Sequence, residues 1–172
     1  MPTELPYRLA MELNGLPLHP LVVHAAVILG PVTALTAIAY AVLPGWRWLI
    51  RWPMVALAVA TAGSVFVSKL AGEALYEDRF AEATGALADQ IAVHEDRGTT
   101  LLWVSLAFLV IAVVAALTVG GPSALATGAG ARDSRGAAVT VGVLALVVVG
   151  ALALLVMTVL TGDAGSRAVW GQ

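Results

Sequence analysis

AAVTVGVLALVVVGALALLVMTVL, residues 137–160, contains no charged residue and no proline. As a helix rising 1.5 Å per residue it extends about 36 Å, enough to cross a hydrocarbon core of about 30 Å. Its flanks are polar, with Arg132, Asp133 and Arg135 before it and Asp163 and Arg167 after it. Three further runs have the same character, at 20–43, 53–71 and 101–119, and Lys69 near one end is their single charge. Only 12% of the residues are charged and the mean hydropathy is +0.92, values that place the chain in lipid rather than in water. Four spans predict an all-α polytopic membrane four-helix bundle, with residues 1–172 forming a single transmembrane domain. The flank of the first run carries Glu4, Arg8 and Glu12 rather than a basic cluster, and the run is too long for the apolar core of a cleaved leader, so it reads as a span.

Several functions are disfavoured by composition. The chain has no cysteine, which removes disulfides, thiolate metal sites and iron–sulfur clusters. A net charge of −2 gives no argument for nucleic acid. His94-Glu95 opens like a zincin helix, but Gly98 stands where the second histidine is needed, and no Gly-x-Ser-x-Gly elbow occurs. Enzymatic activity therefore has no motif behind it.

The connections differ in kind. Leu43-Pro44-Gly45-Trp46-Arg47-Trp48 is a tight aromatic turn with tryptophans suited to the interface. Residues 120–136 are Gly-rich and read as a flexible loop, and 1–19 form a polar-to-mixed tail. Residues 72–100 are rich in helix formers and lack proline, with a break at Thr84-Gly85. They predict helices 2 and 3 continuing out of the membrane as a helical hairpin. Leu87, Ile91, His94 and Gly98 share one stripe, and Phe66, Glu73 and Phe80 share another. Equal distances from the turn set Glu73 opposite His94, with Glu77, Asp78, Glu82, Asp89 and Asp96 turned outward.

Four crossings bring both termini and the hairpin to one side. The short connections hold Arg47, Arg51, Arg132 and Arg135 against Asp133 alone, whereas the hairpin is acidic. This makes the short connections cytoplasmic and the hairpin and termini extracytoplasmic, in a multi-pass protein of a bacterial inner membrane.

GLPLHPLVVH, residues 15–24, supplies the chemistry at that end. Pro20 suits the first helical position, which places His19 at the helix start and His24 one turn inside. His19 and His24 lie roughly 140° apart around a helix, so His24 is the preferred ligand. His24, Glu73, His94 and Asp163 form the expected metal site, with His19 or Glu95 as a further ligand or an orienting group. The donors are nitrogen and oxygen, suited to zinc, iron or copper, for redox chemistry or metal handling. The bland reading of His24 is an imidazole bonded to a carbonyl of its own helix. Haem b is the competing cofactor, with His24 and His94 as the axial pair of a membrane electron-transfer protein. A third reading is a cofactor-free accessory subunit of a membrane complex, or a homo-oligomer, that docks through the acidic hairpin. Small residues at 56–64 and the Gly30-Pro31 pair serve helix packing or leave room beneath the histidine.

GLPLHPLVVH, GEALYEDR, HEDRG and GDAGSRAVWG together resemble the bacterial predicted membrane proteins grouped as domain of unknown function 2231. The resemblance runs from Gly15 to Gly171, and its most specific part is the His19-Pro20 entrance followed by His24 and the downstream His94-Glu95. It implies four membrane helices and no established activity. The chain has Ala25-Ala26 where members of that family often have Phe-Pro, and Gly162-Asp163 where they often have Gly-His; the second departure disfavours a haem or all-histidine reading at that corner and leaves a carboxylate able to bind metal.

Overall fold

A computed structural model describes residues 12–13, 16–119 and 136–171. The expected loop, apart from Gly136, and most of the N-terminal tail lie outside the described residues. Four long helices make up the structure: α1 Leu18–Val42, α2 Arg47–Arg79, α3 Ala86–Thr118 and α4 Ala137–Trp170. Each is long and apolar enough to cross a membrane, and together they form an all-α bundle that fits an integral membrane protein. Two short strands, β1 Glu12–Leu13 and β2 Leu16–Pro17, pair antiparallel just ahead of α1. The helices close a ring in which α1 packs on α2, α2 on α3, α3 on α4, and α4 back on α1.

The packing is that of a bundle meant for lipid. Ala34, Ala37, Ala112, Ala115 and Ala151 are fully buried, whereas Leu35, Leu117 and Val149 are 63%, 66% and 64% exposed. Lipid tails are as apolar as leucine, so large side chains are not driven inward by hydrophobicity, and those that are buried, such as Met54, Phe108 and Leu154, are there through packing. Small ones let the backbones approach and gain dispersion contacts. Gly30 shows how close: a Cβ there would lie 2.5 Å from Thr158 Oγ1 of α4.

Helix ends follow local chemistry. α1 starts at Leu18, with Pro17 ahead of it, two residues earlier than the expected start at Pro20. A proline is tolerated throughout the first turn, where the N–H groups have no intrahelical acceptor, so Pro20 did not mark the boundary. The α2–α3 turn is completed by Gly85 at φ 66° and ψ −145°, a conformation open essentially to glycine alone. α4 continues through the expected end of its span to Trp170. That extension lies beside the first turns of α3, where the Gln90 amide donates to Gly171 O.

The two ends of the bundle are built differently. At the α1 C-terminus the buried Tyr40 hydroxyl reaches across the ring to Ala115 O and Val119 O of α3, at 2.9 and 2.8 Å. Arg47 of α2 caps the last turn of α1, donating from Nε to Tyr40 O and from Nη2 to Ala41 O. The bonds to Tyr40 O and Ala41 O satisfy carbonyls at the end of α1 and set a cation at the negative end of its dipole. The other end carries the histidines.

Candidate site at the histidine end

His19 occupies the first turn of α1 and lies against α2. Its Nδ1 hydrogen-bonds with Ser68 O at 2.8 Å. A Cβ on Gly72, one turn further along α2, would sit 3.0 Å from both Nδ1 and Cε1 of the ring. His94 on α3 makes the matching arrangement with α4. Its Nδ1 hydrogen-bonds with Thr161 O at 3.1 Å, and a Cβ on Gly165 would stand 2.9 Å from Cε1 and 3.1 Å from Nδ1. Each imidazole is thus seated on a glycine of the neighbouring helix and tied to a carbonyl one turn before that glycine.

The two rings meet across the bundle, 6.1 Å apart between centroids with their planes at 85°. Since Nδ1 on each ring serves a carbonyl, the tautomer with the proton on Nδ1 is fixed and the Nε2 lone pair is left available. Among the described residues neither Nε2 has a hydrogen-bond partner. His94 lies seven positions before Leu101, outside the apolar run of α3. Burial lowers its pKa below the ordinary 6.5 and the nearby His19 lowers it further, against a smaller upward pull from the Thr161 carbonyl. The neutral ring is therefore the favoured form at neutral pH.

The other expected ligands are engaged elsewhere. His24 is exposed and its Nδ1 bonds with Pro20 O of its own helix, the bland arrangement considered for it above. Glu73 is exposed and ion-paired to Lys69 one turn back on α2. Asp163 accepts from Arg167 Nε at 2.9 Å and lies 3.9 Å from Arg97 Nη1, while Arg97 also donates to Leu160 O. Glu95 is exposed. Among the described residues no three His, Asp or Glu side chains are gathered as a protein-only metal site requires.

Glu73 departs from its expected place because of azimuth. Phe66, on its proposed stripe, is 50% exposed, so that stripe faces outward. The inward face of α2 is Val65, Ser68, Ala71 and Gly72. One position along a helix is a 100° rotation, and an aromatic residue does not by itself mark the inner face of a bundle in lipid: Phe66 lies outside while Phe108 is buried. The stripe of His94 does face inward, since Leu87, Ile91, His94 and Gly98 are all part-buried.

The sequence carried one unused signal for this site. A glycine inside a helix costs about 1 kcal/mol relative to alanine and calls for a packing reason, and Gly72 and Gly165 interrupt otherwise helix-forming segments. A further feature has no sequence signal: the Ser68 hydroxyl is buried without a hydrogen-bond partner, on the same residue whose carbonyl holds His19.

No family model, no curated protein and no solved structure matches this chain.

Proposed function

We propose that this is a membrane electron-transfer protein whose redox metal is held between His19 and His94 at the hairpin end of the bundle. The observation that carries the reading is the meeting of two imidazoles from separate helices, each with Nδ1 committed to a backbone carbonyl and Nε2 without a partner among the described residues. Metal-binding histidines are oriented by such an outer bond, which selects the tautomer and raises the basicity of the ligating nitrogen. The lowered pKa of His94 favours the deprotonated nitrogen that a metal needs. Of the expected ligands His94 stays in the set and His19 takes the place of His24. Glu73 and Asp163 are balanced by Lys69 and by Arg97 and Arg167, so their role is to pin α2 and to clasp α3 to α4.

The rest of the reading follows the charge pattern: a multi-pass bacterial inner-membrane protein with the hairpin and both termini extracytoplasmic, resembling the family named above. Metal analysis of the purified full chain tests the central part. Bound iron or copper should be lost in His19→Ala and in His94→Ala and retained in His24→Ala, with all three variants eluting as folded protein in detergent; zinc alone, which has no redox couple, would contradict the electron-transfer reading. Folded wild-type protein free of metal, after expression with iron, copper and zinc supplied, would contradict the reading and favour the accessory-subunit alternative.

A further inference from the structure

We infer that the metal held by His19 and His94 is the iron of a haem, ligated on its two faces by imidazoles whose planes are crossed. This rests on the metal-centre reading above and goes beyond it in naming the cofactor and its ligand geometry.

Distance separates the candidate geometries. A metal–imidazole nitrogen bond of about 2.0 Å, plus about 1.1 Å from nitrogen to ring centre, puts each centroid about 3.1 Å from the metal. Two rings on opposite sides of the metal then have centroids about 6.2 Å apart, whereas two ligands at a tetrahedral angle have them about 5.1 Å apart. The measured 6.1 Å fits opposite ligation. Ligand count points the same way. A tetrahedral zinc site takes three or four protein ligands, and here His19 and His94 are joined by no third His, Asp or Glu among the described residues. A porphyrin supplies the four remaining nitrogens itself, so two histidines complete six-coordination and stabilise a one-electron couple.

The surroundings suit a flat group at this level. His19 belongs to the packed pair α1 and α2, and His94 to the pair α3 and α4, so the cofactor would lie between two helix pairs. A Cβ on Gly98, one turn after His94, or on Gly162, beside the carbonyl that holds His94, would meet nothing within 4 Å. Among the described residues the buried Ser68 hydroxyl has no partner, a polar group that a bound molecule can satisfy. Ring orientation is also built in. Each imidazole is fixed by one carbonyl and one glycine on the adjacent helix, and these two seats hold the planes at 85°. Gly72 and Gly165 are accordingly positioning residues, since any larger side chain there displaces a ring.

The test uses the full chain purified in detergent from cells supplied with iron and δ-aminolevulinate, then titrated with ferric protoporphyrin IX. Absorption and low-temperature electron paramagnetic resonance are recorded on the product. The expected result is one haem per chain with a six-coordinate low-spin absorption spectrum. Its ferric resonance should be the strongly anisotropic, large-gmax type that crossed imidazoles produce. His19→Gln and His94→Gln should abolish that signal while His24→Gln keeps it, with folding of each variant checked by gel filtration. Gly72→Ala and Gly165→Ala should weaken haem binding by about 10- to 100-fold, as loss of an orienting contact does, and shift the resonance away from the crossed-plane form. A rhombic signal typical of parallel rings would overturn the crossed geometry. A stoichiometric bare ion with no tetrapyrrole would overturn the haem inference and leave the metal-centre reading standing, while protein with neither would overturn both.

Discussion

The two ends of the bundle contain the same kind of material, a polar aromatic side chain reaching a backbone carbonyl on another helix, and use it differently. At the Tyr40 end the phenol has one proton to donate, and it is shared between Ala115 O and Val119 O. The contact closes the bundle and has no chemistry left over. At the histidine end each ring has two nitrogens, and the carbonyls of Ser68 and Thr161 take only one from each. The remaining nitrogens have no hydrogen-bond partner among the described residues, on rings held by the neighbouring helices. The difference is one of chemistry: the Tyr40 hydroxyl spends its only proton on the two carbonyls, whereas each imidazole keeps a second ring nitrogen whose lone pair can serve as a ligand.

Matched substitutions at the two ends sharpen this contrast. Tyr40→Ala removes the plug and leaves a cavity, and should lower stability by about 3–5 kcal/mol, as large aromatic truncations do. Metal content per folded molecule should be unchanged, and denaturant titration in detergent with elemental analysis reads both quantities. Gly165→Val should cost about 1–3 kcal/mol by overpacking against His94 and should also reduce metal binding, linking a stability loss to a functional one at this end only. His19→Ala should cost only about 1 kcal/mol, the value of one hydrogen bond, while eliminating metal, so stability and function part company there. Asp163→Asn should change stability by no more than about 1 kcal/mol, since its partners are partly exposed, and should leave metal binding intact. An equal stability loss in Tyr40→Ala and His19→Ala would break the comparison.

Acid provides a further separation of the ends in metal-free protein. Because the folded-state pKa of His94 is lowered below 6.5, the unfolded chain binds more protons between those two values. Stability contributed by the neutral ring is therefore complete above pH 6.5 and declines as pH falls towards the folded pKa. Thermal unfolding followed from about pH 8 to 5 should show this decline in wild type and in Tyr40→Phe, and a flatter profile in His94→Gln.

Most of the fold could be read from patterning, because long uncharged runs have few alternatives in lipid. The 72–100 hairpin was legible from its helix formers and from Thr84-Gly85, and Gly85 supplies the backbone conformation at that turn. The site was legible only in height. Histidines and acids do gather at one end, and His94 does face inward. Azimuth was lost wherever a soluble-protein habit was applied: Phe66 was taken to mark an inner stripe, yet in lipid it lies outside and carries Glu73 with it. His19 ranked behind His24, as a further ligand or orienting group, because the two stand roughly 140° apart around one helix, and that angle does not say which of them faces α3. The glycines that seat the rings were visible, but their meaning depends on which helix faces which.

The central claim is that His19, and not His24, meets His94. The natural absence of cysteine allows a direct distance measurement in membranes. The His19→Cys/His94→Cys protein treated with a short bifunctional thiol reagent should form an intramolecular crosslink in high yield, and the His24→Cys/His94→Cys protein should not. Efficient crosslinking of the second pair with none of the first would contradict the account.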